Sequence, residues 1–452
     1  MSLARHPRIV PAVADNFVAG IHKLGGTRTA RDTSKPSRYD ALMASTYGTS
    51  ATQAAIRRGV LRLIEPKAEP YVLLAILSAA AFARTGIALL FPPQEFYLED
   101  SDSYMRSAQD ILAGRHLQSL LVMPGYPTLL ALAGANPVSR LCIDILLSVV
   151  GVWCLVRLTQ AVSGDRIAGL FSGIIWSFYP FAIFYSLAGL TETMFVTLIL
   201  ASFLAYYRQA YSLGSLAMVA AIMTRPQVEL LAPVMVLTFA LVVNRELFTR
   251  ALAHVGVLFA IYVCLMTPWW IHNFTKYGSF VRLNLATGVV LYTGNNPMNR
   301  TGGVEAGVDF DLGRFKPISD PVAWDRALQD AAIHFIVEHP ERFMELAALK
   351  LRRLWGPAAG SRHVSISLIS FVLIAGLAIP GFIGLLRRRW RKLVPIILFL
   401  GYTTAVHMVT IGTLRYRFPM EPFLVLLSGT AIACGLRITL ADMTLSSRSA
   451  KM

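Results

Sequence analysis

A chain of 452 residues that is 55% hydrophobic and 15% charged, with mean hydropathy +0.54, does not have the composition of a soluble domain, which carries about 25% charged residues. Its net charge of +16 would suit nucleic acid, but most of the excess lies where the positive-inside rule places it, on the cytoplasmic side of a membrane, so no nucleic-acid partner is implied. Four cysteines (Cys142, Cys154, Cys264 and Cys434) all fall in apolar runs without metal-ligand spacing, and neither a disulfide nor a zinc site is predicted from them.

Residues 1–70 are polar, basic and rich in Ser, Thr and Ala. No apolar core of a signal peptide follows the N-terminus, and the segment reads as a poorly ordered cytoplasmic arm. Within it, residues 54–64 have the pattern of a basic amphipathic helix lying on an anionic leaflet.

A helix needs roughly 20 apolar residues to cross a bilayer. Candidate spans are 71–91, 137–158, 167–185, 190–207, 213–223, 230–243, 252–269, 365–386, 393–411 and 423–440, with a re-entrant or interfacial piece around Ala131. The predicted fold class is therefore an all-α polytopic bundle of about ten spans. Residues 71–269 form an N-terminal bundle with a first external loop at 92–136. Residues 270–364 form a large external region with two amphipathic helices, 365–440 the last spans, and 441–452 a cytoplasmic tail. Arg157, Arg166, Arg208, Arg245, Arg250 and the basic run 387–392 fall on one side, which makes that side cytoplasmic and puts both termini there.

The first external loop opens with three carboxylates, Glu99, Asp100 and Asp102, followed by Tyr104 and the turn Pro124-Gly125-Tyr126-Pro127. Like charges this close call for a cation, a metal or a proton. One could act as a general base and two could hold a divalent cation; a solvated loop is the plain alternative. Glu192 sits at the external end of an apolar run, where an acid is expensive and by default functional, although a helix start also favours a carboxylate. Arg84, Arg225, Arg415 and Arg417 lie at external span ends, against the charge bias. Arginine suits forked contact with phosphate oxygens, and the bland alternatives are pairing with the acids or reaching to lipid headgroups. Acids and arginines on one external face fit a lipid-linked transferase, a lipid transporter or a phospholipid hydrolase.

The order of these motifs resembles the GT-C superfamily of polyprenyl-phosphate-sugar glycosyltransferases, in the bacterial branch similar to protein O-mannosyltransferases and lipid A aminoarabinose transferases. The residues that carry the resemblance are Asp100 with Tyr104, Ala108 and Gly114, the Pro-Gly-Tyr-Pro turn, Thr191-Glu192-Thr193 and Thr224-Arg225-Pro226. Thr267-Pro268-Trp269 with Asn273 and Phe274 follows, then Gly294-Asn295-Asn296, His339-Pro340-Glu341-Arg342 and Arg415-Tyr416-Arg417-Phe418-Pro419. His272 stands where the family usually has arginine. The resemblance runs from about Tyr71 to Leu440 and implies inverting transfer of a sugar from a polyprenyl-phosphate donor to a lipid, glycan or protein acceptor, on the external face of a cell inner membrane. It makes Asp100 the base, with Asp102 as the rival, and gives the leaving phosphate to Arg225, Arg415 and Arg417. Glu99, Tyr104, Tyr126, Glu192, Arg84, Trp269, His272 and Asn273 complete the substrate-binding candidates. Relatives differ in using a divalent cation, so a requirement for Mg or Mn is left open. A transporter of lipid-linked sugars is the alternative class, but it would want ionisable groups mid-span and related halves, and neither is present in the sequence. A reporter fused after Arg388 should read cytoplasmic and one inserted near Gly303 external; the reverse pattern would overturn this topology.

Overall fold

The computed structural model describes residues 67–91, 96, 99–356 and 364–449, and among them it is helical, with no β-strand beyond one isolated bridge between Ala306 and Phe310. The predicted N-terminal arm and its amphipathic helix lie outside the described residues. The chain divides into two compact units. The described residues of the smaller are 67–76 and 434–449, with Tyr71 and Leu74 exposed. The larger, Leu77–Ala433, holds the side-chain contacts described below.

Helix α1 is Glu69–Leu90, α2 Glu99–Leu112, α3 Gly125–Leu132, α4 Pro137–Ser163, α5 Arg166–Phe178, α6 Pro180–Tyr185, α7 Thr191–Tyr207 and α8 Tyr211–Thr224. Then come α9 Leu231–Leu237, prolonged by a π turn at Thr238–Val243, α10 Phe248–Tyr277, α11 Thr287–Gly294, α12 Pro321–Glu338 and α13 Pro340–Trp355. The chain closes with α14 Val364–Val409, α15 Leu414–Arg417 and α16 Glu421–Ser449.

Among the described residues, five helices are long and apolar enough to cross a membrane, and four shorter apolar helices accompany them. The span predicted at 167–185 is broken into α5 and α6. Pro180 forces Tyr179 before it into extended backbone (φ −68°, ψ 120°), as a residue preceding proline generally is. The two spans predicted at 365–386 and 393–411 are two helices, grouped here as α14, that meet at a kink at Arg389 (φ −144°, ψ 35°), inside the basic run. The piece around Ala131 is the short helix α3. Local signals set the ends. Asn136 accepts from the Ser139 N–H at the start of α4, and Asp165 from the Ile167 N–H at the start of α5, each relieving a donor with no partner inside its helix.

Outward side chains of the long helices are apolar, among them Phe82, Leu89, Phe259 and Val372. In water such a surface would aggregate; the protein is an integral membrane protein. Inside the bundle Phe203 of α7 stacks edge-on or tilted against Phe239, Phe399 and Phe423, with ring centroids 5.0–5.7 Å apart. That one ring joins four elements, and all four rings are fully buried.

The two predicted amphipathic helices of the external region are α12 and α13. The inner face of α12, with Leu328 and Ala332, packs on Tyr292 and Phe315. The inner face of α13 is Leu346, Ala347, Lys350 and Leu354, the spacing of a helix stripe, with a lysine inside it. The Lys350 ammonium donates to Asn295 Oδ1 at 2.8 Å and to the Val409 carbonyl at 3.2 Å. Burial lowers its pKa to about 7. Below that pH the lysine is charged in both folded and unfolded chains and its burial is unfavourable. Between it and the ordinary lysine value of roughly 10.4, only the unfolded chain holds the proton, so stability rises with pH by up to about 1.4 kcal/mol per unit. Lys350→Met should therefore raise the melting temperature in detergent below neutral pH and flatten its rise toward about pH 10. An unchanged slope would show that the lysine keeps its proton in the fold.

Candidate active site

Helix α2 starts at the acidic cluster, so Asp100 lies in its first turn, where a carboxylate is favoured by the helix dipole. The helix is tied down one residue later, where the Ser101 hydroxyl donates to the Ala188 carbonyl at 2.7 Å. Ala188 belongs to the short link that leads into α7 and its second residue, Glu192. In that link Gly189 has φ +65°, and a Cβ there would overlap the Arg140 guanidinium; only glycine lets the link close over that side chain.

Glu192 has no exposed surface. Arg225 Nη1 donates to its Oε1 at 2.6 Å and to Thr191 Oγ1 at 3.4 Å. Arg415 Nε donates to the same Oε1. The other end of the Arg415 guanidinium reaches Asp100, with Nη1 to Oδ2 at 2.5 Å across 315 residues of sequence. A single arginine therefore joins the exposed carboxylate of α2 to the buried carboxylate of α7. Pro226 drives Arg225 into extended backbone (φ −146°, ψ 112°), which turns its side chain out of the α8 helical path. Its guanidinium lies over the Tyr416 ring at 5.3 Å, and Tyr416 stacks on His407 at 4.4 Å. Burial disfavours the charge on Arg225, but the Glu192 carboxylate outweighs that and its pKa is raised.

The Pro-Gly-Tyr-Pro turn closes this site from below. A Cβ on Gly125 would stand 2.8 Å from the Met223 carbonyl group, so glycine is what lets α3 abut the end of α8 beside Arg225. Tyr126 is fully buried and donates to both carboxylate oxygens of Asp144, at 2.9 and 3.0 Å. Its ring meets the edge of Tyr104, one turn past Asp100, at 5.6 Å. Burial pushes the Tyr104 phenol above its ordinary range, so it stays protonated. Asp144 was missed in the sequence reading, although an acid inside the span at 137–158, four residues after Arg140, is the same kind of signal that singled out Glu192.

The structure thus brings together Asp100, Tyr104, Glu192, Arg225 and Arg415, with Tyr126 beneath them. It puts the other candidates elsewhere. Arg417 is buried and donates to Glu421 at 2.8 Å while stacking over Phe371 at 3.9 Å. Arg84 lies within the bundle, donating to Ser148 Oγ at 2.6 Å and to the Ala80 and Ser177 carbonyls at 3.0 and 2.9 Å. The Trp269 indole N–H donates to the Leu283 carbonyl at 2.6 Å, and Asn273 Nδ2 donates to the Val281 and Leu283 carbonyls at 2.8 and 3.0 Å. His272 stacks on Trp269 at 5.0 Å and approaches His116. Trp269 and Asn273 hold the loop that follows α10. Asp102 is exposed and forms no ion pair among the described residues, and the Glu99 side chain lies outside the described residues. No group of three His, Cys, Asp or Glu side chains is gathered as metal ligands among the described residues.

No family model matches the sequence, and no curated protein is significantly similar to it. Solved structures are similar in fold. The oligosaccharyltransferase of Archaeoglobus fulgidus in its apo form superposes with a TM-score of 0.52 at 13% identity, over 83% of this chain and 52% of that one. The fold is of the GT-C type. The same archaeal enzyme, AglB, in complex with an inhibitory peptide and a dolichol-phosphate gives 0.49 at 12% identity, over 84% and 52%. ArnT from Cupriavidus metallidurans bound to undecaprenyl phosphate gives 0.42 at 12%, over 82% and 61%. The chain spans about half the length of the archaeal enzyme.

The Tyr126–Asp144 bond gives this GT-C bundle a measurable foundation. Removing the phenol in Tyr126→Phe leaves a buried carboxylate short of a donor, which costs about 1–3 kcal/mol. The double variant with Asp144→Asn should lose less than the sum of the two single losses, by roughly 0.5–3 kcal/mol. Melting of the four proteins in detergent measures the coupling, and strict additivity would show that the contact contributes nothing.

Proposed function

We propose that this protein is an integral-membrane glycosyltransferase that moves a sugar from a polyprenyl-phosphate donor to an acceptor hydroxyl on the external face of the plasma membrane. The observation that carries the reading is the Asp100–Arg415–Glu192 junction. It joins an accessible carboxylate to buried cationic groups at one end of a GT-C-type bundle. The likeness in fold to an oligosaccharyltransferase supports the same class of reaction.

In this reading Asp100 is the general base. Arg415 engages its Oδ2, and Oδ1 takes the proton of the acceptor hydroxyl as that oxygen attacks the anomeric carbon. The bond from the anomeric carbon to the phosphate oxygen breaks at the same time, and the electron pair leaves with the lipid phosphate. One inversion at carbon results. The phosphate is a good leaving group that needs charge stabilisation more than a proton, and preorganised donors supply it without reorganisation. Arg415 and Arg225 are those donors. Between Asp100 and Glu192, Arg415 provides the positive charge that a divalent cation would provide in a two-carboxylate site, and the mechanism uses the arginine. Glu192 holds both guanidiniums in place. Arg417 does not contribute to the phosphate site, because its charge is spent on Glu421. Asp100 takes precedence over Asp102 because Asp100 alone belongs to the junction.

Asp100→Asn should reduce transfer by about 10²–10⁴, the usual contribution of a positioned base, while leaving melting temperature and membrane yield near those of the parent. Mass analysis of envelope glycolipids and glycoproteins, in cells lacking the gene and complemented with parent or variant, reads it. A glycosylated species restored equally by both would remove Asp100 from the chemistry. Arg225→Ala should weaken binding of undecaprenyl phosphate to the purified protein, and unchanged binding would remove the phosphate assignment.

A further inference from the structure

A cavity lies apart from the Asp100 junction, between the loop after α10 and helix α12. It has a volume of about 280 Å³ and is walled by residues of the segment 280–287 and by Val322, Asp325, Arg326 and Gln329. That is near the lower end of small-ligand pockets, roughly 300 Å³, the size for a single sugar ring rather than a lipid tail. Its polar groups are unevenly committed. Asp325 is already satisfied, accepting from the Gly288 N–H at 2.7 Å and from Gln329 Nε2 at 2.6 Å. The Asn284 amide nitrogen donates to the Leu121 carbonyl at 2.6 Å. The nitrogens of both amides are therefore used internally, while their oxygens accept nothing among the described residues. Such oxygens, with the Thr287 hydroxyl, can accept from and donate to the hydroxyls of a ligand.

Charge then narrows the ligand. Arg326 is exposed and forms no ion pair among the described residues. Arg282, the other guanidinium at the cavity, shares its charge with Glu229 at 3.1 Å and keeps 57% of its side chain exposed. Glu229 balances Arg282 and Asp325 is held by its two donors, which leaves Arg326 as the cavity's guanidinium with no carboxylate partner among the described residues. Phe280 adds an exposed aromatic face at the rim. We infer that this cavity binds a saccharide carrying a phosphate or carboxylate, with Arg326 and Arg282 taking the anionic group and Asn284, Thr287 and Gln329 taking hydroxyls.

The wall of the cavity is bonded to two neighbouring segments. The Leu285 N–H donates to the Leu120 carbonyl at 3.0 Å, stitching the wall to the first external loop. Arg282 pairs with Glu229, which stands four residues after Arg225 in the chain. A charged sugar held here is tied to the first external loop and to the corner that carries Arg225. Its role as part of the acceptor rests on the transfer proposed above, whereas its binding rests on the cavity alone.

The test is direct binding to the full-length protein in nanodiscs, without turnover, using glucose 6-phosphate, glucose and inorganic phosphate as soluble probes. Phosphatidylinositol nanodiscs are compared with phosphatidylcholine nanodiscs in the same titrations. Saturable binding of glucose 6-phosphate that exceeds both glucose and phosphate, and that weakens at least tenfold in Arg326→Ala and in Arg326→Glu, supports a site for a free anionic sugar. If phosphatidylinositol instead competes the soluble probe away in the parent but not in Arg326→Ala, the anionic sugar is a lipid headgroup. Equal binding of phosphate and glucose 6-phosphate would overturn the saccharide, and no saturable binding, or binding unchanged in both variants, would overturn the site. Asp100→Asn should bind the probe as the parent does, so a failed transfer assay and a failed cavity are told apart.

Discussion

The described fold turns on one unfavourable placement, a carboxylate with no solvent contact at the start of α7. Taking Glu192 out of water costs several kcal/mol, and only opposite charge at hydrogen-bond distance recovers it. Two arginines do so, and they come from segments that local structure alone would not bring together. Arg225 is delivered by the pre-proline corner after α8, and Arg415 by the four-residue helix before α16. Because both must reach one oxygen, the ends of α7, α8 and α15 are fixed relative to each other. Removing Glu192 would leave the buried Arg225 guanidinium uncompensated and Arg415 with Asp100 alone, a loss on the order of 3–5 kcal/mol. That is a large part of the stability of most domains. The buried pair is thus a constraint on geometry more than a source of stability, and its geometric product is the position of Arg415 beside Asp100.

Much of this was legible in the residues. Glu192 and Arg225 were visible because charges at membrane depth are rare and costly, and the apolar runs marked nearly every long apolar helix. Breaks in those runs were not, since a proline within an apolar stretch can kink a helix or end it, and only packing decides. At Pro180 it ends one helix; at Pro268 the helix continues. The partner of each charge was the least legible feature. Residue type says that an arginine wants an anion but does not say which one, and Arg84 settles on a serine and two carbonyls within the bundle. Trp269 and Asn273 were read as substrate contacts from their place in the Thr-Pro-Trp…Asn motif that carries the resemblance. They serve the chain instead, because a loop returning to the membrane surface has backbone carbonyls that need donors.

Asp144 shows the opposite error. It was passed over because it sits in a run that read as plain membrane span, yet it accepts the Tyr126 hydroxyl on the underside of the site. The Pro-Gly-Tyr-Pro turn gains a physical reading from this. Glycine allows contact with the backbone of α8, and tyrosine reaches down to a carboxylate in α4. The same tyrosine supports the ring of Tyr104 on α2. Gly125 and Tyr126 meet different elements, so the motif specifies a junction of helices rather than a loop conformation.

Arg415 and Arg417 make the limit of residue-type reasoning concrete. They are two positions apart in one short helical turn, and both read as phosphate ligands. Two positions along a helix rotate a side chain by about 200°, so the pair must face nearly opposite ways. One of them reaches Asp100 and Glu192 and keeps 23% of its side chain exposed; the other keeps 1% and is held by Glu421 and the ring of Phe371. Glu421 follows Arg417 by four residues, the spacing at which helical side chains meet, and the sequence contained that pairing. A guanidinium with an acid one turn ahead of it has its partner already. An arginine two residues earlier, with no acid at either three or four positions beyond it, must find its partner across the fold. That asymmetry, local satisfaction against distant need, separates the arginine that holds the bundle from the one available to a ligand.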